Sequence, residues 1–220
     1  MAQATRTTTP SASLSDDPIE NISTWFQLNS RPIMYGLGAV AVAAAAIFLY
    51  RSTAASNREK ASAALYAAQG PFSEGKFDEA RVALEKVSSR YSGTASGQQA
   101  AILLAQVFFE EKKYDEGIKA LEGALGSATA DFKSSIESMI AAGHELKGNM
   151  AEAANHYGKA AAVAQFPADK HTYEAAQARS LMSAGKNAEA KKIWETLAVL
   201  DGESVQQEAN VRLGELAAKK

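Results

Sequence analysis

The only imidazoles in the chain are His144, His156 and His171, and there is no cysteine. The lack of Cys removes disulfides, thiolate metal sites and a thiol nucleophile in one step. A zinc site on one helix face needs two histidines flanking a carboxylate, as in H-E-x-x-H. His144-Glu145 begins that pattern, but position 148 is Gly, so the second ligand is missing. His144 falls at an inward position of its helix, where a hydrogen-bonded interhelical histidine is the plain reading. A metal-dependent enzyme or sensor using His144 and Glu145 is the rival from another functional class. Gly36-Leu37-Gly38 lacks the further Gly or Lys of a phosphate-binding loop, and no G-x-S-x-G elbow occurs. Carboxylate pairs such as Asp78-Glu79 and Glu110-Glu111 fall at helix ends and turns, where solvated charge is expected. No catalytic, metal-ligating or cofactor-binding residue is assigned, and the chain reads as a non-enzyme without a cofactor.

The elements that carry these residues follow from composition. The chain has 220 residues, with 23 Lys and Arg against 25 Asp and Glu, a formal net charge of −2. That balance argues against a nucleic-acid partner, which needs a basic surface to neutralise phosphates. About a fifth of the residues are Ala, which favours helices, while the aromatic and β-branched residues that strands want are sparse. Five Pro leave room for long helices. An all-α fold is expected.

Residues 33–50, IMYGLGAVAVAAAAIFLY, run 18 positions without a charge. As a helix they would span about 27 Å at ~1.5 Å per residue, close to the hydrocarbon thickness of a bilayer. Tyr35 and Tyr50 near the ends suit the interface, Arg31 and Arg51 can snorkel to headgroups, and Pro32 suits a helix start. A single transmembrane helix is expected over 33–50. A buried soluble helix is the first competing reading, although the run shows no polar face. A cleaved signal is the second, with Ser52-Thr53-Ala54 as a site-like sequence, although 32 residues precede the run. Gly36, Ala39, Ala43 and Ala46 form a stripe of small residues that would let another helix approach in lipid. Residues 1–14 read as a disordered tail, 15–32 as a juxtamembrane segment with a short interfacial helix from Ile19 to Leu28, and 51–56 as a linker. Counting Arg51, Arg58 and Lys60 against Arg31 would put the C-terminal part in the cytoplasm, but long domains cross largely regardless of charge.

From residue 57 a motif recurs: EGKFDEA at 74–80, EKKYDEG at 111–117, KGNMAEA at 147–153 and AGKNAEA at 184–190. Gly75, Lys112, Gly148 and Gly185 are spaced 37, 36 and 37 residues apart, a solenoid period. Small residues precede the turn (Ala68, Ala105, Ala141, Ala178) and follow it (Ala80, Gly117, Ala153, Ala190). Bulky ones come next as plugs between helices: Leu84, Leu121, Tyr157 and Trp194. The spacing predicts helix pairs 57–73 with 77–91, 97–111 with 114–126, 131–146 with 150–164, and 168–183 with 187–200. A ninth helix, 203–218, would be the polar cap that a solenoid end needs.

This pattern resembles the tetratricopeptide repeat (TPR), a helix–turn–helix unit of about 34 residues, with the closing Pro matched only by Pro167. The longer period suggests longer loops between units. The resemblance implies a TPR-like α-solenoid over 57–220 that binds proteins on the concave face lined by the first helix of each pair. The register projects Leu65, Gln69, Phe72, Ile102, Gln106, Phe109, Glu145, Arg179 and Met182 toward that partner-binding groove, where an extended peptide or a partner helix would lie. The competing reading packs Phe72 and Phe109 between neighbouring repeats. The Lys/Asn carboxylate clamp of chaperone-binding TPR proteins is not reproduced.

The N-terminal layout is more specific. Trp25-Phe26, then Asn29-Ser30-Arg31-Pro32, the apolar run, Arg51, and an array opening at residues 60–66 (KASAALY) resemble the YfgM-like ancillary subunits of the SecYEG translocon. That resemblance implies a bacterial inner-membrane, single-pass protein with a periplasmic TPR domain. Its partners would be translocon subunits, periplasmic chaperones or exported clients. The alternative is an envelope-assembly or cell-division scaffold without translocon contact. Oligomeric state is not read from the sequence.

Overall fold

The computed structural model describes residues 18–201 and 204–218, and all of their side chains except those of residues 18–24 and 27. Among the described residues there are nine helices and no strand: α1 (Pro18–Ser73), α2 (Phe77–Arg90), α3 (Ala95–Glu110), α4 (Tyr114–Leu125), α5 (Ala130–Leu146), α6 (Met150–Val163), α7 (Pro167–Ser183), α8 (Asn187–Leu197) and α9 (Ser204–Ala218). The expected tail 1–14 and the side chains of Ile19 and Ile22 lie outside the described residues.

The chain divides into two compact units, Met1–Ala54 and Ala55–Lys220, and α1 contributes to both. In the first unit, the described apolar side chains Trp25, Phe26, Met34, Leu37, Val40, Val42, Ile47, Phe48 and Leu49 are all exposed. Pro32 does not start a helix there. It lies inside α1, as do residues 51–56, which carry no Gly or Pro to break the helix. Pro32 deprives the Leu28 carbonyl of its helical N–H partner, a loss a helix can survive where that carbonyl reaches solvent or headgroups.

In the second unit the helices pair as the period predicts, with ends within three residues of those expected from the sequence, except that the first helix does not start at 57: α1 runs into it unbroken from Pro18. Each first helix ends on a residue of positive φ: Gly75 at 72°, Lys112 at 60°, Gly148 at 79° and Gly185 at 77°. These are the four equivalent turn positions of the repeat. At each, the next amide returns to the carbonyl five residues back: Lys76 to Pro71 at 2.9 Å, Lys113 to Phe108 at 2.8 Å, Asn149 to His144 at 2.9 Å and Lys186 to Leu181 at 2.8 Å. This is the Schellman closure, which satisfies carbonyls that a helix end leaves orphaned. The second helices then start with carboxylates at their positive ends, Asp78 and Glu79 in α2 and Asp115 and Glu116 in α4.

The loops between units are short, residues 91–94, 126–129 and 164–166, so the long period is not taken up in extended loops as expected. It lies in the helices, of which α5 and α7 each run 17 residues. Ala68, Ala105, Ala141 and Ala178 are buried, as are the small residues Ala80, Gly117, Ala153 and Ala190 of the second helices. Leu84, Leu121 and Trp194 are fully buried plugs, and Tyr157 is half-buried. Helix α9 covers the last pair, with Val205, Leu213 and Leu216 packed on the core around Trp194 and Leu197.

Candidate protein-binding face

Consecutive first helices are tied side by side by polar contacts. The buried Gln98 of α3 uses its whole amide: Nε2 donates to the carbonyls of Ser92 (3.3 Å) and Ser127 (3.2 Å), and Oε1 accepts from Thr129 N (3.2 Å) and Oγ1 (3.1 Å). The loop before α3 is thereby fixed to the loop before α5. The Ser180 hydroxyl of α7 donates to Glu145 Oε1 of α5 at 2.7 Å, and Arg179 pairs with Glu208 of α9 at 2.8 Å. These ties run from α3 through α5 and α7 to α9.

The sequence-projected groove residues divide. Ile102 is 8% exposed and belongs to the core around Ile136 and Ile140. Leu65 and Phe72 pack on the core around Leu84, and the Phe72 ring lies 6.5 Å from that of Phe77 across the turn. Phe109 lies over two helix glycines. A Cβ on Gly117 would stand 2.4 Å from its Cε1, and one on Gly143 would stand 2.8 Å from its Cζ. Met182 accepts the indole N–H of the buried Trp194 at its sulfur, 3.2 Å away. Glu145 serves Ser180 and the Tyr157 hydroxyl, the latter at 3.1 Å. Gln69 and Gln106 are half-buried, and their amides make no hydrogen bond among the described residues; Arg179 is exposed. A cleft of about 370 Å³ opens beside Arg179, lined by Met182, Ser183, Arg212 and Glu215. Gly36, Ala39, Ala43 and Ala46 are exposed in the first unit, and a Cβ on Gly36 would meet open space.

The third helix pair holds polar groups that the projection did not reach. His156 Nδ1 lies 2.7 Å from Glu137 Oε2, and both side chains are almost entirely buried. The His144 ring stacks on His156, centroids 5.3 Å apart and planes 17° from parallel. His144 is not the hydrogen-bonded histidine expected: its buried Nδ1 has no partner among the described residues. Burial, above all, and then His156 hold its pKa below the ordinary 6.5; Lys147 adds to this, while Glu152 and Glu122 oppose it. Tyr157 is pushed above its ordinary range, chiefly by burial and then by the charge and hydrogen bond of Glu145, against Arg179. No cluster of three His, Cys, Asp or Glu able to hold a metal occurs among the described residues.

The register contained a signal for this cluster. In the first two units the slots of Glu137, His144, Glu145, His156 and Tyr157 hold Ala64, Pro71, Phe72, Ala83 and Leu84, then Ala101, Phe108, Phe109, Ala120 and Leu121. Five apolar slots thus become polar together in the third unit. Comparing equivalent positions finds them; scanning for ligand motifs does not.

Comparison with known proteins agrees with the architecture. A family model described as anaphase-promoting complex, cyclosome, subunit 3, matches residues 42–124, which include the first two helix pairs. No curated protein matches the chain. The crystal structure of nearly identical TPR-like repeats of kinesin light chain type from Podosopora anserina superposes with a TM-score of 0.56 at 15% identity, covering 72% of this chain and 86% of that one. A single-substitution variant of the same protein gives 0.55 at 16% identity, covering 72% and 85%. The chain has a TPR-like α-solenoid fold.

Proposed function

We propose that this protein is a membrane-anchored scaffold. Residues 33–50 cross the bilayer once, and the first-helix face of the TPR-like unit docks protein partners. The observation that carries the reading is the pairing, in one chain, of a TPR-like solenoid with an apolar helical run that nothing covers. None of the 18-residue apolar window in α1 is buried, and exposed aromatics, Trp25, Phe26, Tyr35 and Tyr50, lie at and beyond its ends. A bare apolar surface of that length marks a membrane or partner contact.

The anchor acts by confinement. Holding the groove at the bilayer raises its effective concentration for partners that emerge there, without any new contact. Within the groove, Gln69, Gln106 and Arg179 offer polar groups to an extended chain or a partner helix, and Leu65, Phe72, Phe109 and Met182 contribute their outer edges. The resemblance to YfgM-like translocon subunits supports a bacterial inner-membrane location, residues 52–220 in the periplasm, and action on exported proteins at SecYEG.

Membrane fractions washed in alkaline carbonate test the anchor: the full-length chain should stay with the pellet, and its release to the supernatant overturns the anchor. Protease added to spheroplasts should degrade residues 52–220, whereas inverted vesicles should protect them. Mild-detergent co-purification then tests the partners. SecY in the eluate supports the translocon reading, and division or envelope-assembly proteins without SecY overturn it in favour of the alternative scaffold.

A further inference from the structure

We propose that the stacked His144–His156 pair, with Glu137 behind it, is a proton-sensitive joint: a proton on His144 loosens α5 from α6 and slackens the second half of the docking face. The inference is independent of which partner docks there.

The geometry is specific to one unit. His144 occupies the slot of Pro71, Phe108 and Leu181, and His156 that of Ala83, Ala120 and Ile193, so two slots that hold apolar residues in the other pairs here hold two imidazoles. Nearly parallel rings at 5.3 Å can stack when His144 is neutral. His156 keeps its Nδ1 on the carboxylate of Glu137, 2.7 Å away, and forms an ion pair whenever that ring is charged. Nothing equivalent supports His144, whose Nδ1 is buried without a partner among the described residues. A proton on His144 therefore places charge on a ring stacked against a second imidazole, in a site that gives it no acceptor at Nδ1.

Lys147 of α5 repels a charged His144, as does a charged His156 of α6. Glu122 of α4 and Glu152 of α6 attract it, but burial, His156 and Lys147 together prevail, and the folded chain resists a proton that the unfolded chain takes up near 6.5. The opened state therefore binds more protons, and opening becomes easier as pH falls through that value. The consequence reaches the docking face because α5 also carries Glu145, the acceptor for Ser180 of α7.

The test is amide hydrogen exchange on the full-length protein in lipid nanodiscs, at about pH 7.5 and about pH 5.5, the range in which histidine changes charge. After correction for intrinsic exchange, opening of α5 and α6 should rise severalfold on acidification, with a ceiling of about tenfold for a single histidine that titrates near 6.5 in the opened state, while α2 and α3 stay unchanged. His144→Phe, which restores the residue of the second unit, and His144→Gln should each abolish the rise. In the wild-type chain the His144 ring resonance should titrate below 6.5. A wild-type profile flat with pH, a rise that persists in both variants, or a His144 midpoint above 6.5 overturns the proposal.

Discussion

The Tyr157 hydroxyl donates to Glu145 Oε2 at 3.1 Å across the third helix pair. The same two register slots hold Phe72 with Leu84, Phe109 with Leu121, and Met182 with Trp194 in the other pairs. One position before the turn thus always meets one after it, through apolar packing twice, a charge-assisted hydrogen bond once and an N–H···S contact once. Glu145 differs from its equivalents because Ser180 of α7 also donates to it, so a single carboxylate joins α5, α6 and α7.

Glu145→Ala should lower stability by about 2–3 kcal/mol, since it removes two hydrogen bonds to a charged group and leaves the Tyr157 hydroxyl without its acceptor, while Ser180 falls back on the Ala176 carbonyl 3.0 Å away. In a unit of this size that is a fall in melting temperature of about 4–12 °C. Glu145→Gln keeps an acceptor and donors in place and should lose less than half as much. Circular-dichroism melts of the three proteins decide it. Equal melting temperatures for wild type and Glu145→Ala would mean that the tie carries no load.

Phe109 is locked by the glycines it covers. Gly143→Ala would put a methyl 2.7 Å from Ile118 Cγ1 and 2.8 Å from Phe109 Cζ, and Gly117→Ala would crowd the same ring. Each should cost about 1–3 kcal/mol by overpacking. Combining either with Phe109→Leu should recover part of the loss, and a double-mutant cycle in denaturant measures that coupling. Strict additivity would release Phe109 from the repeat core and return its ring to the docking face.

The helix pairs were legible because two local signals agree: a turn residue every 36 or 37 positions and small residues at fixed distances on either side of it. Ala68 and Ala80, or Ala178 and Ala190, had to be buried if those helices touched, and they are. The docking face was legible only as a register. Whether Phe72 or Ile102 spends its surface on a partner or on its own core depends on how far neighbouring units approach, and Gly117 and Gly143 set that distance from other helices. The Glu137–His156 pair was invisible for a related reason. Its members are 19 residues apart, and neither belongs to a ligand motif, so only the pairing of α5 with α6 brings them together. Pro32 misled in the opposite direction, marking a boundary that α1 runs through.

Lys112 is the one turn residue of the four with a side chain, at φ 60°. A left-handed conformation costs an L-residue about 1–2 kcal/mol, part of which Gly gives back through the entropy of the unfolded chain. Lys112→Gly should therefore stabilise the second unit by about 0.5–1 kcal/mol. Gly148→Ala, which meets nothing within 4 Å, should cost about 1 kcal/mol for conformational reasons alone. Opposite shifts in denaturation midpoint are expected, and a loss of stability in Lys112→Gly would mean that the Lys side chain contributes more than the strain it bears.

Tyr157 gives the fold a base-sensitive limit. Its ionisation is held above the ordinary value of 10 by burial first and by Glu145 second. A group whose folded pKa is raised contributes stability that is fully present below the unfolded value and is lost as pH climbs past it, because the unfolded chain then gives up its proton while the folded chain keeps it. Unfolding free energy in urea should therefore fall between about pH 9 and about pH 11 more steeply in the wild type than in Tyr157→Phe, which has no proton to lose at that position. At neutral pH Tyr157→Phe should itself be weaker by about 1 kcal/mol for the missing hydrogen bond, so the two stability curves should converge as the solution becomes alkaline. Parallel curves across that range would show that neither burial nor Glu145 raises the Tyr157 ionisation above that of the unfolded chain.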